Sequence, residues 1–279
     1  LRYLLDTNVF YDLASGELDY SKFIGQFRGD NFYGCPINCI EIITSPNPFD
    51  LRKNAVDMFL KCLSEGMRIL PDSNYALRYQ LKEGLFEDTG EVTNLIQGIR
   101  IFCKADSEKE LKQGFRFGYH PKIYKQNLDD IIIERNSTYE GWQVECEIMK
   151  KKIIAHYGGK DKLRGQPLKD YRKEKKDIFT YENALPGLLD KVYLSLGEML
   201  ENVTSLPDNL KPYADLYFMY CIRLFEDDAN SEKNDFGDIE QLIYYGQYID
   251  KFITSEGKWF DLAVRAGYTN MYVTPDILC

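Results

Sequence analysis

The stretch RYLLDTNVF, residues 2–10, runs apolar through Tyr3-Leu4-Leu5 and then stops at Asp6-Thr7-Asn8. An unbroken apolar run of this kind reads as a parallel strand covered by helices on both faces. In open α/β sheets, ligands bind beyond the carboxyl ends of the strands, and Asp6 stands at such an end. Two readings of Asp6 follow. It caps a helix starting near Val9, because Asp and Asn favour helix N-termini, or its carboxylate faces a site.

Further strand candidates lie outward from this one. FYGCPI (32–37) reads as a second strand and NCIEIITSP as a short helix halted by Ser45-Pro46. DLRKNAVDMFLKCLSEG places Leu51, Ala55, Met58, Phe59 and Cys62 on one helical face, with Gly66 as its stop. MRILP then reads as a third strand. Near the other end, DIEQLIYYGQYI reads as a helix, KFIT as a strand, GKWFDLAVRAG as a helix and MYVT as a last strand. Strands alternating with helices predict an α/β fold, a parallel central sheet flanked by helices. Between them the pattern is helical. One long helix or two end at Gly158-Gly159, and LPGLLDKVYLSLGEMLENV and LKPYADLYFMYCIRLFEDD are further amphipathic stretches. The expected organisation is a discontinuous core, 1–71 and 232–279, interrupted by a large helical insertion, 72–231.

Composition narrows the function classes. With 44% hydrophobic residues the chain is globular, and no apolar run approaches a membrane span. No basic and apolar leader pattern follows Leu1, and seven scattered cysteines lack a framework spacing, so reduced thiols and a cytoplasmic location are expected. Cys35 and Cys39 are a poor zinc signal without a second pair or a nearby His. The only histidines are His120 and His156, which leaves acid–base chemistry to carboxylates or metals. The net charge of −9 opposes general nucleic-acid coating, yet Lys150–Lys176 holds 11 Lys or Arg against Asp161, Asp170 and Glu174.

Carboxylates recur at predicted strand ends and helix starts: Asp6, Glu41, the pair Asp235 and Asp238, and Glu256, with Asp250 as a spare. Each has a structural explanation. Asn38 and Glu41 form a capping pair with Glu41 at the third helical position; Asp235 caps the helix that carries Asp238; Thr254 or Ser255 caps the next, leaving Glu256 in its first turn. In a doubly wound sheet these positions can all converge on one edge, where like charges raise one another's pKa values unless a cation holds them. Oxygen ligands with few histidines suit Mg²⁺ or Mn²⁺, and a metal pair roughly 3.5–4 Å apart serves phosphodiester hydrolysis.

LLDTNVF resembles the opening motif of PIN-domain nucleases, a hydrophobic strand followed by D-[TS]-[NS]. Glu41 matches that family's second acid on a short helix. DFGDIEQLIYYGQYIDKFITSE matches its third acid and following strand through Asp238, Thr254 and Glu256. The resemblance covers roughly the first 70 and last 50 residues. Glu256 stands where the family usually has Asp, and Asp235 competes with Asp238. The resemblance implies a metal-dependent ribonuclease in which Asp6, Glu41, Asp238 and Glu256 bind Mg²⁺ or Mn²⁺, with Asn8 and Thr254 as supporting polar groups. It also implies single-stranded or looped RNA as substrate and leaves room for a protein partner such as an antitoxin.

In the basic stretch, Lys160, Lys162, Arg164, Arg172, Lys173, Lys175 and Lys176, interleaved with Tyr157 and Tyr171, either track a phosphate backbone or form a solvated lysine-rich loop. A haloacid-dehalogenase-like phosphatase fits less well, because Asn8 stands where that chemistry wants a second Asp. The non-enzyme alternative is a PIN-like scaffold that binds RNA or protein without cleaving it, and Glu256 in place of Asp is the feature that favours it.

Overall fold

The computed structural model describes residues 1–26, 31–82, 99–114, 128–156, 158–163, 165, 169–170, 173, 181–226, 229–232 and 234–278. Five short strands form one all-parallel sheet: β1 (Tyr3–Leu5), β2 (Phe32–Gly34), β3 (Arg68–Ile69), β4 (Lys251–Ile253) and β5 (Tyr272–Val273), in the order β3-β2-β1-β4-β5. The first half of the fold supplies helices α1 (Thr7–Ser15), α2 (Tyr20–Gln26), α3 (Pro36–Thr44), α4 (Phe49–Ser64) and α5 (Ser73–Leu81). A helix α6 spans 99–104, followed by α7 (Glu108–Gly114) and α8 (Leu128–His156). The remainder holds α9 (Tyr181–Leu196), α10 (Lys211–Glu226), α11 (Asp235–Gln241) and α12 (Gly257–Ala266). The α/β architecture with a parallel sheet and a long helical segment is the one read from the strand and helix pattern.

Side chains of β1 alternate between two cores, as the period of two requires. Leu4 packs with Phe252, Tyr272 and Trp259, while Leu5 packs with Ile253, Phe32, Val9 and Phe59. Both faces are covered, which is why Tyr3-Leu4-Leu5 carries no polar residue. Gly34 in β2 admits Phe59 of α4, since a Cβ there would lie 2.7 Å from Phe59 Cε2.

The helical segment closes the Leu4 side. Leu185, Leu188, Val192, Leu216, Tyr220 and Leu224 share that core with the sheet residues. The long helix α8, 29 residues, joins the two sides: Leu128 and Ile131 belong to the Leu5 core and Cys146 to the Leu4 core. At 1.5 Å per residue it is about 43 Å long.

Element ends carry most of the differences from expectation. FYGCPI is strand only to Gly34, because Pro36 starts α3 with its fixed φ. The helix expected through residue 249 ends at Gln241 and a 3₁₀ turn, Leu242–Tyr244, follows it. Gly246, at φ 87°, then reverses the chain toward β4. Helix α9 stops at Leu196, before Gly197 at φ 64°, short of the stretch predicted to continue to Val203. Cys35, Cys39, Cys62, Cys103, Cys146 and Cys221 carry free thiols. No described helix is long and apolar enough to cross a membrane.

Candidate active site at the carboxyl edge of the sheet

The strand order places the topological switch between β1 and β4. The chain builds outward from β1 to β2 and β3, then returns to the opposite side of β1 for β4 and β5. Such a crevice is where open α/β sheets bind ligands. A cavity of about 310 Å³ opens there, and Asp6, Asn8, Glu41, Asp238 and Glu256 line it, together with Thr7, Arg135 and Asn234.

Asp6 follows β1, and its N–H donates to Ile253 O at 2.9 Å, continuing the β1–β4 ladder. It is the N-cap of α1, and its Oδ1 accepts the first helical amide, Thr7 N, at 2.6 Å. The other carboxylate oxygen accepts Thr254 Oγ1 at 2.6 Å. Asp6 therefore occupies a cap position while its side chain bridges β1 to β4 and faces the cavity. Thr254 has a second task, accepting the backbone N–H of Glu256 at 3.1 Å.

Glu41 is not a capping residue. The N-cap of α3 is Cys35 and the third helical residue is Asn38, whose Oδ1 accepts Cys35 N at 2.8 Å. Pro36 starts the helix three residues earlier than an Asn38 cap would, so Asn38 rather than Glu41 takes the third helical position. Glu41 lies one turn further on, alone among buried isoleucines. A hydrogen-bond relay aims it: Asn38 Nδ2 donates to Thr7 Oγ1 at 3.2 Å, and Thr7 donates to Glu41 Oε2 at 2.5 Å. Glu41 Oε1 is buried without a hydrogen-bond partner; the nearest cation, Arg135 Nη2, is 3.8 Å away.

The first turn of α11 carries both aspartates, but they diverge. Asp238 Oδ2 accepts Trp259 Nε1 at 3.1 Å and the residue lines the cavity. Asp235, 2% exposed, accepts Tyr220 Oη at 2.6 Å and Glu232 N at 3.0 Å, and pairs with Lys258. It is not among the cavity-lining residues. Glu256, the N-cap of α12, accepts Asn8 Nδ2 at 2.9 Å and lies 2.9 Å from Lys258 Nζ. Asp250 is elsewhere, paired with Arg2.

Burial pushes Asp6 up to about 6, with Glu256 adding to the rise and the Thr254 hydrogen bond opposing it. Glu41 goes up to about 7, again chiefly by burial, against the attraction of Arg135 and the Thr7 hydrogen bond. Asp238 rises well above the carboxylate range through burial and the charges of Asp6, Glu41 and Glu256. These groups resist simultaneous ionisation, the arrangement a bound cation would relieve. Among the described residues no group of three or more His, Cys, Asp or Glu side chains is placed to hold a metal ion; Asp6, Glu41, Asp238 and Glu256 each accept from a protein donor. The donor types around the cavity, oxygen with no histidine, are those a hard divalent ion takes, and Glu41 Oε1 lacks a hydrogen bond though it pairs with Arg135.

Several contributors were not singled out from the sequence. Thr7 and Asn38 sit inside motifs already noted, but their relay needs β1 and α3 side by side. Arg135 comes from α8, stacked 4.8 Å over the Tyr139 ring and bonded to Thr44, and nothing near it in sequence announces a site. Lys258 did leave a signal. A lysine in the first turn of α12 opposes the helix dipole, which calls for acids around it. In the basic stretch, Lys162 and Lys173 are exposed and do not line the cavity, and Lys160 begins a 3₁₀ turn after α8. Arg164, Arg172, Lys175 and Lys176, with Tyr157 and Tyr171, lie outside the described residues. No protein-family model, curated protein or solved structure matches the chain.

Proposed function

We propose that the chain is a PIN-like, metal-dependent endoribonuclease that hydrolyses RNA phosphodiester bonds at this edge. The observation that carries the reading is the gathering of Asp6, Glu41, Asp238 and Glu256 around one cavity at the switch point, with Glu41 Oε1 buried and making no hydrogen bond. Mg²⁺ or Mn²⁺ would be held by Asp6, Glu41 and Asp238, and would supply Lewis acidity and a water of lowered pKa. Thr254 and Thr7 keep Asp6 and Glu41 oriented from beneath. Asn8 holds Glu256 at the cavity wall, and Arg135 at the rim offers a cation to a phosphate oxygen. Hydrolysis by water spares the 2′-OH, so the preference for single-stranded or looped RNA rests on the family resemblance.

A second reading has its own observation. Lys258 and Arg135 already lie against the acids, as in a scaffold that holds RNA or a protein partner without cleaving it. A labelled unstructured RNA incubated with Mn²⁺, Mg²⁺ or EDTA separates the two. Cleavage that needs the metal and is lost in Asp6→Asn is the expected outcome. Equal cleavage by Asp6→Asn removes the assignment of this site, and a well-folded wild type that binds RNA uncut in Mn²⁺ supports the scaffold.

A further inference from the structure

The four acids occupy only one end of the cavity. The rest is lined by the outer face of α1 and by the connection from α3 into α4. Asn8, Tyr11, Asp12 and Ser15 recur at three- and four-residue spacing and share that face of α1, while Val9, Phe10 and Leu13 turn into the core. At 1.5 Å per residue, Asn8 to Ser15 spans about 10 Å. Asn8 donates to Glu256 and so fixes one end of this arm at the acids. Glu17 lines the other end, and Pro46, Asn47 and Leu51 line the facing wall. Among the described lining residues Arg135 is the one cation, and it is held at the acids' end by Glu41, Thr44 and Asn234. Asp12 is half-buried, and its carboxylate makes no hydrogen bond or ion pair among the described residues; only its backbone carbonyl is engaged, by Ser15 Oγ and Leu18 N. Beside it, Tyr11 contributes an aromatic ring whose hydroxyl has no hydrogen-bond partner among the described residues.

We propose that this arm is a base-specific subsite that takes an unpaired guanine next to the phosphate being hydrolysed, with Asp12 as the residue that reads it. The subsite rests on the ribonuclease reading above and names its nucleotide. Two carboxylates, Asp12 and Glu17, with no cation beside them repel a phosphate, so the arm suits the uncharged part of a nucleotide. At about 310 Å³ the cavity is in the size range of small-ligand sites. Single-stranded RNA is read by stacking its bases on aromatic side chains and by hydrogen bonds to their Watson–Crick edges. Tyr11, Pro46 and Leu51 supply surface for the base, and Asp12 supplies the edge contact. An ionised carboxylate only accepts hydrogen bonds. Guanine is the base whose edge offers one carboxylate two adjacent donors, the ring N1–H and the N2 amino group. Adenine and cytosine set a ring-nitrogen acceptor beside their amino donor, and uracil sets its single N–H between two carbonyls. Each of those three brings a lone pair against Asp12.

The test is binding of short uridine RNAs that carry guanine, adenine, cytosine or uracil at their central position. Fluorescence anisotropy in EDTA reads affinity without cleavage, for the full chain as wild type, Asp12→Asn and Tyr11→Leu, each checked by circular dichroism. The expected result is that wild type binds the guanine RNA about tenfold more tightly than the other three, the scale of one good bidentate base contact. Asp12→Asn should bring all four within about twofold of one another. Tyr11→Leu should weaken all four alike, since stacking serves every base. Equal affinity of wild type for the four RNAs, or binding of none, overturns the subsite. So does a guanine preference that persists in a folded Asp12→Asn, or unchanged affinities in a folded Tyr11→Leu. Metal-dependent cleavage of labelled RNA by the same wild-type preparation would then leave the ribonuclease reading standing without it. A guanine preference that Asp12→Asn erases, in a protein that cuts no RNA in Mn²⁺, keeps the subsite and supports the scaffold instead. If neither variant folds, the wild-type order among the four RNAs decides.

Discussion

Asp6 answers to two demands, cap and site, and its energetics separate them. Its carboxyl moves from the ordinary 3.8 to about 6, and Glu41 from 4.5 to about 7, both chiefly through burial. A carboxyl whose folded pKa is raised binds more protons in the native state than in the unfolded one, so stability falls as pH rises through that window. Metal-free wild type should therefore lose stability relative to Asp6→Asn between about pH 4 and 7, by roughly 1–3 kcal/mol. Paired thermal melts in EDTA at several pH values measure the difference. A gap that stays constant with pH denies the raised Asp6 carboxyl. Asp235 makes the contrasting case, since its partners Tyr220, Glu232 and Lys258 give it a framework role. Tyr220→Phe should lower stability by about 1–3 kcal/mol, as loss of a hydrogen bond to a buried charged group does, and leave metal affinity within twofold. A large fall in Mn²⁺ affinity would instead return Asp235 to the ligand set.

Two elements set the clearance of the site. Gly237 in α11 allows that helix to approach α3: a Cβ there would lie 2.5 Å from Glu41 Oε1 and 3.3 Å from Ile37 Cγ2. Gly237→Ala should therefore displace the Glu41 carboxylate while gaining up to about 1 kcal/mol of helix propensity. Metal affinity should fall about tenfold or more with the melting temperature little changed, one pK-scale unit being about 1.4 kcal/mol. Calorimetry and a melt on the same sample settle it, and an unchanged affinity would show that Glu41 does not hold the ion. Helix α8 acts on a larger span. Leu128, Ile131, Arg135, Tyr139, Trp142 and Cys146 recur at three- and four-residue spacing, so one face meets the Leu5 core, the acidic rim and the Leu4 core in turn. The spacing is visible in the sequence, but the Arg within it gains meaning only where α8 crosses Glu41.

At the scale of the molecule, Asp6, Glu41, Asp238 and Glu256 share one cavity, and a ligand that binds only the native state must stabilise it. Mn²⁺ at about one hundred times its dissociation constant should add roughly 2.7 kcal/mol at neutral pH, a rise of several degrees in melting temperature. The same addition to Asp6→Asn should do little, and equal shifts in both proteins would place the ion elsewhere. Neutralising Lys160, Lys162, Lys173 and Lys175 should flatten the salt dependence of RNA binding by about 0.7 for each lysine that meets phosphate. An unchanged slope would leave that stretch a solvated surface.

The sequence by itself determined the strands, the parallel α/β class and the acids, because burial on both faces forces an apolar run and its end forces a polar break. Four of those acids, Asp6, Glu41, Asp238 and Glu256, reach one cavity. It left Asp235 and Asp238 equivalent, since both occupy the first turn of one helix. Only the tertiary structure separated them, by setting Tyr220 against one and the cavity against the other. Arg135, the Asn38–Thr7–Glu41 relay and the reach of Lys258 into the acids were likewise decided by packing. Hydrogen bonds and charge pairs between distant segments depend on which elements lie adjacent, and local periodicity carries no record of that.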